Sequence, residues 1–325
     1  MRAVLCKAYG PPESLVVEEI DGPPLFPAGV RIQVKAAGIN FPDVLMIKGE
    51  YQFKPPFPFS PGAEVAGVVS ELGADVSNVK VGDRVIAMCG AGGFAEEVVV
   101  GHNSILPMPD EMDFVTASGL TLTYGTSIYA LKQRAQLQAG ETLLVHGASG
   151  GVGLSAVEIG RAMGAHVIGT GGDDEKLKVA LEHGCDHVIN YRTGDFKDEV
   201  KALTDGKGAD VIYDPVGGDV FDQSLRCIAW DGRLLVIGFA GGRIPAPPAN
   251  LILLKSCSVV GVFWGAWSSR EPAANRDNLN EVVQWWRDGV IKPHVSHTFP
   301  LEQASDALYA VINRQVVGKA VLTTD

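Results

Sequence analysis

The sequence has no long apolar run, no paired cysteines and no excess of basic residues, and each absence removes a class of protein. No stretch of its 325 residues supplies the roughly 20 consecutive apolar residues that a membrane-crossing helix needs. The start, Met1-Arg-Ala-Val-Leu-Cys, reads as a strand and lacks the apolar region and cleavage site of a secretory signal, so the expected location is the cytoplasm. The five cysteines, Cys6, Cys89, Cys185, Cys227 and Cys257, are scattered, odd in number and free of any CxxC pairing. That excludes a disulfide framework and a structural zinc lobe and fits reduced thiols. Lys plus Arg is 27 against 38 for Asp plus Glu, a net charge of −11, so polyanions are repelled and neither nucleic acid nor an anionic membrane is expected as a partner.

What is present changes character near residue 120. Before it, short strand-like runs (31–36, 63–72, 84–88 and 94–100) are separated by Gly and Pro, as in 55–62, Pro-Pro-Phe-Pro-Phe-Ser-Pro-Gly. After it, strands near 142–146, 166–170, 187–191, 210–214, 232–237 and 258–264 alternate with helical stretches, which implies a parallel sheet covered on both faces. A helix over 279–287, a strand over 295–299, a helix over 301–312 and a closing strand over 319–322 end the chain. The expected class is α/β, a β-rich domain plus a doubly wound sheet.

The most telling stretch is Leu143-Leu-Val-His-Gly-Ala-Ser-Gly150-Gly151-Val152-Gly153, an apolar strand running into a glycine-rich turn that opens a helix. Gly150 removes a Cβ that would keep the backbone from a pyrophosphate, Gly153 lets helix and strand approach, and the leading N–H groups face the anion. The next strand ends about 20 residues further on, as a Rossmann unit requires. A plain strand-to-helix turn of another α/β domain is the alternative. That second strand ends in Thr170-Gly171-Gly172, where an NAD enzyme places an acid for the ribose hydroxyl. Asp173-Asp174 comes later and reads as a helix cap. Lys176, one turn inside that helix, can meet a 2′-phosphate, which favours NADPH; a solvated helix lysine is the plainer reading.

Gly-Ile-Asn-Phe-Pro-Asp (38–43), Pro-Gly-Ala-Glu-Val-Ala-Gly (61–67), Val-Gly-Asp-Arg-Val (81–85) and the glycine turn resemble the zinc-independent quinone oxidoreductase branch of the medium-chain dehydrogenase/reductase superfamily. Asp-Pro-Val-Gly-Gly-Asp-Val-Phe (214–221), Val-Ile-Gly-Phe-Ala-Gly-Gly (236–242), 248–255 and Gly-Val-Phe-Trp-Gly (261–265) extend the likeness over the whole chain. One departure is Ala148 in place of the first fingerprint glycine, with Gly147 beside it. The resemblance implies a GroES-like β-barrel domain over 1–122, completed by 267–325, and a Rossmann NADPH-binding domain over 123–266, with the active cleft between them.

The resemblance also assigns residues. The alcohol dehydrogenase branch holds catalytic zinc with a Cys where this chain has Asn40 and a His where it has Ala63, beside a retained Glu64; an amide and a methyl cannot replace those ligands, so no metal is expected. Asn40, Thr126, Phe263 and Lys319 belong at the nicotinamide end, with Gly238 and Phe239 among the backbone groups around it, and Tyr191 matches a contact to the 2′-phosphate or adenosine. An amide at Asn40 can orient the nicotinamide or ribose by hydrogen bonds, and Tyr51 matches a tyrosine near cofactor and substrate whose phenol can donate a hydrogen bond or a proton. Tyr191 reads equally as a strand-end aromatic and Tyr51 as a loop tyrosine. Tyr124 and Trp264 are candidates for the apolar pocket wall, or for core.

Three functions compete: an NADPH-dependent reductase of quinones or other α,β-unsaturated carbonyls, an enoyl thioester (enoyl-CoA) reductase, and a dinucleotide-binding protein with little turnover. The first is favoured, because a thioester enzyme calls for a basic patch that this acidic chain does not display near the cleft segments. An edge strand at Ser258–Trp264, rich in Val, Phe and Trp, calls for a partner, and a homodimer is expected.

Overall fold

Val30, Ile32, Val34 and Ala36 alternate with Arg31, Gln33 and Lys35, and the first set is wholly buried, so Gly29–Ile39 is a strand with one face in a core. The computed structural model describes residues 1–324, in two units: Met1–Leu122 with the chain from Pro293 onward, and Thr123–Lys292.

The elements run β1 (Arg2–Leu5), β2 (Val16–Glu19), β3 (Gly29–Ile39), α1 (Phe41–Ile47), β4 (Glu64–Leu72), β5 (Arg84–Met88), β6 (Glu97–Gly101), β7 (Ile105–Pro107), α2 (Phe114–Ser118) and α3 (Thr121–Ile128). Next come β8 (Thr142–His146), α4 (Gly151–Ala162), β9 (His166–Gly171), α5 (Asp174–Glu182), β10 (His187–Asn190), α6 (Phe196–Leu203), β11 (Ala209–Asp214), α7 (Gly218–Cys227), β12 (Ile228–Val236), α8 (Ala249–Lys255), β13 (Ser258–Gly261), α9 (Trp264–Arg270) and α10 (Pro272–Arg287). β14 (Val295–Pro300), α11 (Ala304–Ile312) and β15 (Lys319–Thr323) follow.

In the first unit the sheet order is β14-β15-β3-β4-β5-β7, with β6 also pairing β3. β15 pairs antiparallel with β3, Ala320 opposite Ile39 and Leu322 opposite Ala37, so the last strand sits inside the sheet. Its core joins Val30, Ile32 and Val34 to Leu301, Leu308 and Leu322.

The second unit is a six-stranded parallel sheet in the order β10-β9-β8-β11-β12-β13. Strands β8 and β11 are spatial neighbours but not sequence neighbours, so the winding reverses between them and opens a crevice at their carboxyl ends, where dinucleotides bind in such sheets. The turn at 147–150 leaves β8 at that end.

Two expectations change. Residues 267–292 lie in the second unit: Trp267 stacks on Tyr129 with ring centroids 4.3 Å apart, and the Gln133 and Asn278 amides bond each other at 3.0 and 3.1 Å. The edge strand β13 stops at Gly261 because α9 starts at Trp264, whose indole is buried. Exposed apolar residues on this side include Phe263 and, on α8, Leu253 and Leu254.

Candidate functional site

Gly150 is the N-cap of α4 in extended backbone, and the N–H groups of Gly151, Val152 and Gly153 lead the helix without intrahelical partners. A Cβ on Gly150 would meet nothing nearer than the Gly147 carbonyl oxygen at 3.4 Å, whereas one on Gly153 would collide with that carbonyl. The first glycine therefore keeps a surface open for a ligand, and the second permits the turn itself. A pyrophosphate fits this cradle, which offers backbone donors, a helix N-terminus and no side chain in the way.

Further along the same sheet edge, Tyr191 N donates to Gly171 O at 3.0 Å, and a Cβ on Gly172 would lie 3.0 Å from Tyr191 Oη. Asp173 caps α5, its Oδ1 accepting from Lys176 N at 3.1 Å, so the acidic pair begins as a cap. Asp174 Oδ1 accepts from Asn190 Nδ2 at 2.7 Å and ties α5 to β10. Thr126 on α3 is half-buried, as are Gly238 and Phe239 just past β12, where Gly238 N approaches Asp214 O at 3.4 Å.

Tyr124 and Trp264 are both buried in the second unit. The Tyr124 hydroxyl donates to buried Glu158, which also accepts from His183 Nδ1 and Lys292 N. Trp264 Nε1 donates to Asn275 Oδ1 at 2.8 Å, and its indole covers Gly125. In both, the ring fills space and the polar tip is already paired.

The first unit gathers a second set of residues. Asn40, Asp43, Glu64 and Lys319 are all buried. Lys319 Nζ donates to Ile39 O at 2.9 Å, Asn40 Oδ1 at 2.7 Å and Glu64 Oε1 at 2.8 Å, so all three of its N–H bonds are used inside the protein. Asn40 Nδ2 donates to Glu64 Oε1 at 2.9 Å and to Gly38 O at 3.3 Å, and Asn40 forms a capping box with Asp43 at the start of α1. Glu64 Oε2 accepts from Leu122 N at 2.8 Å.

Asp43 accepts from Asn40 N and Gly62 N, and its total burial raises its carboxyl to about 7 against those hydrogen bonds. It lies close enough to Tyr51 and Cys89 for its charge to raise both, though burial is the larger cause for each. Tyr51 packs against this unit's core, and its hydroxyl has no hydrogen-bond partner among the described residues, so it is a protonated, available donor. Sequence reasoning missed Asp43, although Asn40 and an acid three residues later at a helix start is a capping signature that could have found it.

Comparisons place this geometry among known proteins. Residues 27–110 match the alcohol dehydrogenase GroES-like domain family and residues 151–280 the zinc-binding dehydrogenase family. The chain is 42% identical to a quinone oxidoreductase-like protein 2 homolog of Nematostella vectensis, over 99% of this chain and 89% of that one. A quinone oxidoreductase of Escherichia coli complexed with NADPH has a TM-score of 0.91 at 29% identity, with both chains covered fully. The CurK enoyl reductase has a TM-score of 0.90 at 28% identity, over 100% of this chain and 99% of the other.

Proposed function

The chain belongs to the quinone oxidoreductase branch of the medium-chain dehydrogenase/reductase superfamily and is an oxidoreductase, and from that premise we propose that it is a zinc-independent NADPH reductase of quinones or other α,β-unsaturated carbonyl compounds. The observation that carries this reading is the buried Lys319–Glu64–Asn40 cluster. The positive charge there is an ammonium that already occupies Glu64 Oε1, and Asn40 and Ala63 supply neither thiolate nor imidazole. Without a Lewis acid to polarise an alcohol oxygen, the substrate must be electron-poor on its own.

NADPH, when bound, supplies the hydride. The cradle at Gly150–Gly153 binds the pyrophosphate, and Lys176 and Tyr191 favour the phosphorylated ribose, in keeping with the NADPH complex of the Escherichia coli relative. Thr126, Gly238, Phe239 and Phe263 hold the nicotinamide end. Tyr51 donates a proton to the acceptor oxygen; its raised pKa keeps the phenol protonated at neutral pH. The five cysteines are unpaired thiols, which supports a place in the cytoplasm.

NADPH oxidation with a panel of quinones, enones and enoyl-CoAs, set against NADP⁺ reduction with primary alcohols, tests the assignment. Turnover is expected with quinones or enones. Exclusive turnover of enoyl-CoA would move the protein to the thioester class, and robust alcohol oxidation alone would reject the reading. Tyr51→Phe should lower turnover about 10²- to 10⁴-fold if the phenol is the donor.

A further inference from the structure

We propose that Arg192 is a specificity-determining residue of the dinucleotide site, binding the 2′-phosphate that separates NADPH from NADH; this rests on the NADPH reading above. Asn190 is opposite Gly171 in the parallel pair of β10 and β9, so residues just past β10 return beside the turn that follows β9. A Cβ on Gly172 would lie 3.0 Å from Arg192 Nε and 3.0 Å from Tyr191 Oη. The space beside Gly172, where an NAD site would carry an acid, is thus bounded by a guanidinium and a phenol.

Arg192 is exposed, and its guanidinium makes no hydrogen bond or ion pair among the described residues, in a chain with 38 carboxylate side chains. Two carboxylates at the start of α5 have other partners: Asp173 caps the helix and Asp174 accepts from Asn190. Asn190 in turn fixes the arginine's backbone, its Oδ1 accepting from Arg192 N at 3.0 Å. Asp174, Asn190 and Arg192 therefore form a relay that sets the loop and leaves one planar, permanently charged fork unpaired next to an open glycine. A phosphate dianion matches that fork; a ribose hydroxyl gains little from it.

The test uses the full chain and its Arg192→Ala and Arg192→Lys variants, with dissociation constants for NADPH, NADH, 2′,5′-ADP and 5′-AMP. The alanine variant should weaken NADPH and 2′,5′-ADP by about 10- to 100-fold and leave NADH and 5′-AMP within about twofold. Lysine should recover part of the loss. A parallel loss for all four ligands, or an unchanged NADPH to NADH ratio in a variant with native thermal stability, overturns the proposal. A native protein that binds NADH as tightly as NADPH would instead sink the underlying cofactor reading.

Discussion

Lys319 Nζ lies 2.8 Å from Glu64 Oε1, and these two residues, 255 positions apart in the chain, leave 5% and 0% of their side chains exposed. A buried pair of this kind is costly to halve. Lys319→Met should lower stability by about 3–5 kcal/mol, because Glu64 is left as an uncompensated buried charge. Adding Glu64→Gln should restore a large share. Thermal or denaturant unfolding of the two variants measures this, and a single variant as stable as the native protein would contradict it.

Asp43 and His146 oppose one another in pH dependence. The folded-state pKa of Asp43 is raised to about 7, so its contribution is full below the unfolded value near 4 and is lost as pH rises through 7. His146 is buried, which pushes it down to about 3. Ser224 donates to Val220 O, so its oxygen accepts from His146 Nε2, while the ring's Nδ1 faces Thr170 Oγ1; the neutral ring satisfies both. Its contribution is present above about 6.5 and is lost as pH falls towards 3. Between pH 4 and 6.5 the two slopes, each up to about 1.4 kcal/mol per unit, should cancel. Asp43→Asn should therefore gain stability steeply from pH 4 to 6.5, and His146→Leu should lose it over the same range. Urea unfolding at half-unit steps decides, and flat profiles in both variants would refute the assignment.

Two glycines of one turn should respond differently. Gly153→Ala forces a Cβ into the Gly147 carbonyl and should cost folding stability by several kcal/mol or prevent soluble expression. Gly150→Ala meets only an ordinary contact at 3.4 Å, so the fold should hold while NADPH affinity falls at least tenfold. Thermal shift with and without NADPH separates the two; an unaltered NADPH affinity in Gly150→Ala would mean that the pyrophosphate is elsewhere.

Lys176 sits in the first turn of α5, near the same end of β9. Lys176→Ala should raise the NADPH dissociation constant by about tenfold and spare NADH. Equal changes in the two would assign this residue to the helix rather than to the ligand.

Among the described residues the edge strand β13 pairs with β12 alone, and apart from Gly261 O, which accepts from Arg134 Nε at 3.0 Å, its outer side offers backbone donors and acceptors. We expect it to be closed by a second copy. Sedimentation at micromolar concentration should give twice 34.4 kDa, and a monomer would reject the pairing.

The second unit was legible because its signals are local: an apolar strand, a glycine turn and a helix fall within one short stretch, and parallel strands buried on both faces are almost continuous apolar runs. β2 escaped because Val16 and Val17 are exposed, and β7 because it has only three residues. Trp264 was read as strand because aromatics favour strands, but its ring is buried in an α-helix with a side-chain partner on α10. The bond from Tyr124 to Glu158 was not legible either, since nothing near Tyr124 in sequence reveals that partner. Asn40 and Lys319 were named from likeness; that the lysine's donors are consumed by Asn40, Ile39 and Glu64 depends on β15 lying beside β3, which no local pattern encodes.

That placement of β15 also sets an order of events on the ribosome. Residues Thr123–Lys292 are contiguous and can complete their sheet while the rest is still being made. The flank of β3 from Ala36 to Ile39 has no partner until Ala320–Thr323 emerge, so the nascent chain carries an open, apolar strand edge through most of its synthesis. The segment made before Thr123 is therefore finished after the one that follows it.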